Sequence, residues 1–253
     1  DDAILRRANR RHSADDAVEA VELAAGEFEN LSIDLIIGLP GCDEKILRNT
    51  IEKAVSLPIT HISVYFLMVH SKTPLFYKLQ DGTEALPSKI DWNTVYYDVV
   101  EFLRQHGFAQ YEISNFARPT FESVHNKAYW SREAYKGFGV GAASFDGNTR
   151  TVNNKNITGY IDVVRRGELP VDFCEALTFE QEKLERVMLG LRQTRGMSLV
   201  DLMALLGDSK TAFIARIDQL KERGVLREDE CGRVSLTLEG MPLENEVVAF
   251  LCG

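Results

Sequence analysis

Asp34 is the residue that most needs a chemical explanation. It stands in Leu31 to Ile37 (LSIDLII), an otherwise apolar run, and a carboxylate inside a buried strand is costly unless a partner satisfies it. One reading pairs it with an arginine or with backbone amides. The other lets it accept hydrogen bonds from the ribose hydroxyls or amino group of a ligand at the strand's end, and chemistry alone leaves both open. Arg10, in Asn9-Arg10-Arg11-His12, lies just before a helix, where charged side chains usually face solvent. A guanidinium there could also hold a ligand carboxylate through two parallel hydrogen bonds. His125, Asn126, Tyr129 and Trp130 put an imidazole, an amide and two large aromatics into one short stretch. Packing under a long loop accounts for such a cluster. So does a site for a planar ring system, with aromatic faces for stacking and His125 as axial ligand to haem iron.

The neighbouring Gly137 to Gly141 (GFGVG) does not meet the dinucleotide fingerprint, because the glycine spacing is too short and no strand and long helix flank it. Its glycines instead permit special backbone angles or a close approach of main chain to a flat ligand. Cys42, Cys174, Cys231 and Cys252 are scattered without CxxC or CxxxCxxC spacing, so they read as isolated thiols in a reducing compartment rather than as metal or cluster ligands.

These residues must be positioned by an α/β scaffold. Ser13 to Gly26 has apolar positions at helical spacing behind a Ser13 cap, and Asp43 caps a second helix through Ala54. Between and after them, Leu31 to Ile37 and His61 to Leu67 are short apolar strands, which predicts parallel strands buried on both faces in a βαβ arrangement. Phe76 to Ser88 reads as irregular, Lys89 to His106 as a long amphipathic helix and Gln110 to Ile113 as the strand of a further βα unit. Across residues 115–156 no period is sustained, the pattern of ordered functional loops. Gly159 to Arg166 reads as a short helix and Gly167 to Val171 as a linker. The tail then has helices at Phe179 to Arg192, Ser198 to Leu206 and Thr211 to Arg223, two short strands at Val225 to Arg227 and Val234 to Thr237, and a last helix, an order like that of a winged helix.

Composition narrows the function classes. The 253 residues are 45% apolar with a formal charge of −9, the make-up of an ordinary folded protein without general affinity for nucleic acid or anionic lipid. Phe173 to Gly253 holds more Asp and Glu than Lys and Arg, which disfavours a phosphate-facing surface on the winged-helix-like tail. The apolar stretch near Ile62 to Val69 has the length of a strand and not of a membrane span, and the chain starts without the features of a signal peptide. The expectation is a cytoplasmic protein with neither transmembrane segment nor nucleic-acid partner.

Several strings in order, NRRHS, SIDLIIGLPG, HISVYFL with Thr73-Pro74-Leu75, QYEISNFARP, HNKAYW and GFGVGAASF, resemble the HemW and oxygen-independent coproporphyrinogen III oxidase group of radical S-adenosylmethionine proteins, from Asp1 almost to the C-terminus. YEISNFARP and HNxxYW lean towards the HemW branch. The resemblance implies the C-terminal part of an incomplete (β/α) barrel over residues 1–167, with family-specific loops at 115–156, followed by a small helical, winged-helix-like domain over 168–253. It implies S-adenosylmethionine contacts at Arg10 and Asp34, with main-chain contacts near Met68 and Ala143, and haem binding at His125. The family's [4Fe-4S] cluster sits on a CxxxCxxC loop that this sequence does not contain, so no metal ligand is expected here and no catalysis by this chain alone. His70 and Lys72 stand where relatives usually carry an acidic residue and a glycine, and Ala143 where HemW sequences often have His. The implied function is that of a haem chaperone that delivers haem to a client protein. The alternatives are oxidative decarboxylation of coproporphyrinogen III in porphyrin biosynthesis and, remotely, a winged-helix DNA-binding protein.

Overall fold

The computed structural model describes residues 1–88, 90–207 and 209–253. They form two compact units, Asp1–Ser123 and Val124–Gly253.

In the first unit, local chemistry sets the helix ends. A helix the sequence did not announce, α1 (Asp2–Arg7), starts where the Asp1 side chain accepts from the amides of Ala3 and Ile4. It stops where Asn9 turns left-handed at φ 57° and the Arg10 N–H donates back to the Leu5 carbonyl over 2.9 Å. Next comes α2 (Ala14–Ala25), opened by a reciprocal box between Ser13 and Asp16. The strand β1 (Ser32–Ile37), the helix α3 (Glu44–Ser56) and the strand β2 (His61–Phe66) form the expected βαβ unit with β1 and β2 parallel, and Asp43 caps α3 through the Ile46 N–H at 2.8 Å. The stretch expected to be irregular from Phe76 contains α4 (Pro74–Gln80), because Thr73 caps it and Pro74 occupies its first turn, where a missing N–H costs nothing. The long helix, α5 (Trp92–Gln105), begins at an Asp91 cap; Lys89, expected to be its first residue, lies outside the described residues.

The further βα unit differs from expectation. Its strand β3 (Ala109–Glu112) does not lie next to β2, because β4 (Asn115–Ala117) pairs antiparallel with both and gives the order β1-β2-β4-β3. The hairpin is closed by a side chain, since the Glu112 carboxylate accepts from the Ser114 N–H at 3.0 Å and from Asn115 Nδ2 at 2.5 Å. This open four-stranded sheet is not a closed barrel. One face carries Ile33, Leu35, Ile37, Ile62, Val64 and Phe116 against Leu47 and Ile51 of α3 and Val95, Val99 and Leu103 of α5, and burying this apolar area is the main force holding the sheet to its helices. The other face is mostly polar, with Ile36 and Tyr65 beside the polar positions.

In the second unit, the expected loops of residues 124–156 contain regular structure: α6 (Val124–Trp130), β5 (Ala143–Phe145) and β6 (Thr149–Asn153). These pieces are too short for a hydrophobic period to show in the sequence. After α7 (Ile157–Arg165), the expected linker ends one residue early, because Val171 pairs with Asn153 to start β7 (Val171–Ala176) and complete a sheet ordered β5-β6-β7. The tail follows its expected order with one strand added, the two-residue β8: α8 (Phe179–Leu191), β8 (Met197–Ser198), α9 (Leu199–Leu206), α10 (Lys210–Glu222), β9 (Leu226–Glu228), β10 (Arg233–Leu236) and α11 (Glu244–Cys252). Its sheet, β8-β10-β9, is antiparallel. Gly196, just before β8, has φ 60°, and a Cβ there would strike the Val234 carbonyl of β10, so the wing needs glycine at this corner. No helix among the described residues is long and apolar enough to cross a membrane.

Candidate functional site

The polar face of the first sheet is built by the register of its strands. Ser32 lies opposite His61, Asp34 opposite Ser63 and Ile36 opposite Tyr65, so the alternation that sends Ile33, Leu35 and Ile37 to the core sends these side chains to the other side. Asp34 is exposed there. This corrects the expectation of a strand buried on both faces: β1 alternates, and the carboxylate needs no internal counter-ion because solvent reaches it. Among the described residues no hydrogen bond or ion pair holds the Asp34 side chain, which leaves its oxygens able to accept from hydroxyl or ammonium donors of a ligand.

Beside Asp34 the sheet carries two buried hydrogen-bonded groups that were not recognised in the sequence. His61 meets Ser32 Oγ through Nδ1 at 2.7 Å and the Tyr111 hydroxyl through Nε2 at 2.6 Å, and that hydroxyl accepts from the Ser123 N–H at 3.1 Å. Burial pushes the His61 pKa down, with the Asp34 charge pulling the other way, and burial raises the Tyr111 phenol to about 12. Tyr111 therefore keeps its proton and donates a hydrogen bond to Nε2 of a neutral His61, whose Nδ1–H donates to Ser32; this tautomer is assigned from the network. In the second group Ser63 Oγ donates to Asn115 Oδ1 at 3.2 Å and Asn115 donates to Glu112. A register shift between Gln110 and Glu112 lets Tyr111 and Glu112 both bond on this polar side while Gln110 reaches Tyr96 at 2.6 Å. The period-two polar positions 32, 34 and 61, 63 were the available clue.

Of the other residues expected in this region, Met68 lies two positions past β2 and is 74% exposed. Arg10 is exposed in the turn after α1, without a side-chain hydrogen bond or ion pair among the described residues. Asp34 and Met68 thus share one sheet and its following loop, and Arg10 belongs to the same unit.

His125 and Ala143 belong to the second unit. The imidazole is exposed on α6 and stands edge-on to the ring of Tyr129, one helical turn later, with centroids 4.6 Å apart and planes at 88°. Tyr129 in turn meets Tyr135 at 4.5 Å and 74°. Tyr135 exchanges backbone hydrogen bonds of 2.8 and 2.9 Å with Phe145, and their rings lie 6.2 Å apart. Phe145 is buried beneath the guanidinium groups of Arg132 and Arg150, at 4.9 and 5.6 Å from its centroid, and both arginines pair with Glu185 of α8.

Ala143 is the exposed first residue of β5. Its carbonyl is where a Cβ on Gly137 would collide, so the GFGVG loop lies directly on this strand. The loop is pinned by the Gly137 N–H donating to Ser144 Oγ at 3.0 Å and by Asn153 Nδ2 donating to the Gly139 carbonyl at 3.0 Å, and Phe138 stands 87% exposed at its tip.

The cysteines are separate free thiols: Cys42 is buried, Cys252 half-buried and Cys174 and Cys231 exposed. Among the described residues no group of three or more His, Cys, Asp or Glu could hold a metal ion. These residues therefore do not fit the three-cysteine ligation of a [4Fe-4S] cluster, whereas an open carboxylate and an open imidazole fit S-adenosylmethionine and haem iron by donor chemistry.

Residues 177–243 match the family model described as the HemN C-terminal domain. Over the whole chain the sequence is 38% identical to a heme chaperone HemW of Bacillus subtilis (strain 168), of which it covers 67%. It is 29% identical over 97% of its length to the heme chaperone HemW of Lactococcus lactis, covering 64% of that protein. The chain thus spans about two-thirds of the length of these relatives. The solved structure of the Escherichia coli coproporphyrinogen III oxidase HemN, a radical SAM enzyme, superposes with a TM-score of 0.76 over 99% of this chain and 61% of that one, at 20% identity, a likeness of fold.

Proposed function

The chain belongs to the HemW family of radical S-adenosylmethionine proteins, and from that premise we propose that the full-length protein is a cytoplasmic haem chaperone that binds haem and hands it to a client protein. The observation that carries this reading is His125, an exposed imidazole on α6 edge-on to the Tyr129 ring, because a neutral imidazole nitrogen is a common protein ligand to haem iron and the ring supplies an apolar flank. Asp34, in the open on the polar sheet face, would accept from the hydroxyls or ammonium of S-adenosylmethionine, with Arg10 offering a guanidinium to its carboxylate and the main chain near Met68 adding a contact. When bound, S-adenosylmethionine and a cluster supply the redox chemistry of the family; the residues of this chain bind and orient. We also assign residues 168–253 to the family's C-terminal domain, which the matched span of 177–243 supports.

Haemin titration of the full-length protein tests the reading. Stoichiometric binding with a Soret band that shifts or disappears in His125→Ala is expected, together with no decarboxylation of coproporphyrinogen III. A His125→Ala protein that binds haemin with the original spectrum and affinity refutes the ligand assignment, and turnover of coproporphyrinogen moves the protein to the oxidase reading. Parallel titration with S-adenosylmethionine should show Asp34→Ala weaker by about 10-fold or more, the size expected for charged hydrogen bonds.

A further inference from the structure

The ring of Tyr129 stands perpendicular to His125 at 4.6 Å, and nothing in the chemistry of iron ligation alone requires a tyrosine there. An exposed histidine on a helix samples several side-chain rotamers, and each one abandoned on ligation costs entropy. A perpendicular aromatic neighbour one turn away narrows that choice, provided the neighbour is itself fixed. Tyr129 is fixed. Its ring packs on Tyr135 at 4.5 Å, Tyr135 is bonded through its backbone to Phe145, and Phe145 is 4% exposed beneath two guanidinium groups that Glu185 holds in place. A continuous stack therefore runs from the buried Phe145 to the exposed imidazole.

We propose that Tyr129 is a positioning residue: its ring, braced by Tyr135 and Phe145, presets the orientation of the His125 imidazole for an iron porphyrin. The inference rests on His125 being the haem ligand. It assigns the work to the aromatic ring and not to the phenolic hydroxyl, since the contact seen is ring to ring. Histidine plane orientation and bond strength tune the spin state of a ligated iron, so the loss of the brace shows in the spectrum as well as in affinity.

The experiment uses full-length protein titrated with haemin, read by Soret absorption and by electron paramagnetic resonance of the ferric form. Tyr129→Phe is expected to match the wild type. Tyr129→Ala and Tyr129→Leu are expected to bind haemin about 3- to 10-fold more weakly, the range an aromatic pair supplies, with a broadened or shifted ferric signal. The leucine variant keeps apolar bulk on α6, and far-UV circular dichroism checks that it folds if the alanine variant does not. If His125→Ala binds haemin unchanged, the underlying ligand assignment fails and this inference with it. If His125→Ala loses the spectrum while Tyr129→Leu keeps wild-type affinity and signal, the ligand stands and the positioning role is overturned. A Tyr129→Phe protein as impaired as Tyr129→Leu also overturns it, because the hydroxyl would then carry the effect.

Discussion

His61 shows how one residue can be polar, buried and structural beside an open candidate site. Its ring bridges Ser32 of β1 and Tyr111 of β3 on the face that carries Asp34, and burial lowers its pKa below the ordinary 6.5. A proton added to the folded protein would have to replace the hydrogen bond that Nε2 accepts from Tyr111, whereas the unfolded chain takes up that proton freely. Stability from His61 is therefore complete above about pH 6.5 and declines as pH falls from there through the lower folded value, where the unfolded state binds more protons. Urea midpoints measured from pH 7.5 to 5 should fall in the wild type, with part of the fall absent in His61→Gln, which cannot titrate. Parallel curves for the two proteins would show that the imidazole does not change charge in this window. Asp34, by contrast, is exposed, and its replacement by Ala is expected to move stability by no more than about 0.5 kcal/mol, which separates a binding role from a structural one.

At the scale of elements, what the sequence made legible depended on length and capping. The Ser13 and Asp43 caps and the LSIDLII and HISVYFL runs were sufficient to place α2, β1, α3 and β2, and the helix–strand order of the tail was readable because its helices run eight residues or more. The three-residue strands β4 and β5 and the seven-residue helices α4 and α6 repeat their hydrophobic period less than twice, too little for it to stand out, so they read as loop. Asp34 was legible as unusual, though its environment was not: whether β1 alternates depends on its register with β2, a tertiary fact. The Glu185 clamp was hidden for a similar reason, since Arg132, Arg150 and Glu185 are far apart in sequence and meet only when β6 and α8 pack. Arg132 and Glu185 side chains are 7% and 15% exposed, so removing the shared negative charge leaves a buried guanidinium without its ion-pair partner, with only the more distant Glu182 charge still acting on it. Glu185→Gln should cost about 3 kcal/mol, while Glu168→Gln, which loses a pair with Arg166 in solvent, should cost far less. Trp130 fluorescence in a Trp92→Phe background would follow the second unit alone during urea unfolding. Equal midpoints for the two variants would count against the clamp.

For the molecule as a whole, fold and charge point in different directions. Helices α9 and α10, set between β8 and the β9-β10 hairpin of one antiparallel sheet, give the tail a winged-helix-like order, an architecture that elsewhere reads DNA with a helix in the major groove. A fold of this kind does not carry the function with it. Affinity for a duplex comes first from lysine and arginine neutralising phosphates and releasing counterions. Here the chain has a formal charge of −9, the tail from Phe173 is itself acidic, and Lys221 is drawn into pairs with Glu228 at 2.7 Å and Asp218 at 3.9 Å. A phosphate approaching α10 would compete with carboxylates already in place. The expected result is that the full chain leaves the anisotropy of a labelled 30-base-pair duplex unchanged up to about 100 μM protein at about 0.1 M salt, the upper range of ordinary non-specific binding. Binding that weakens linearly with the logarithm of salt concentration would show phosphate neutralisation and return the tail to the nucleic-acid class. Its absence leaves α9 and α10 as packing elements, which their buried Leu202, Phe213, Ile217 and Leu220 already make them.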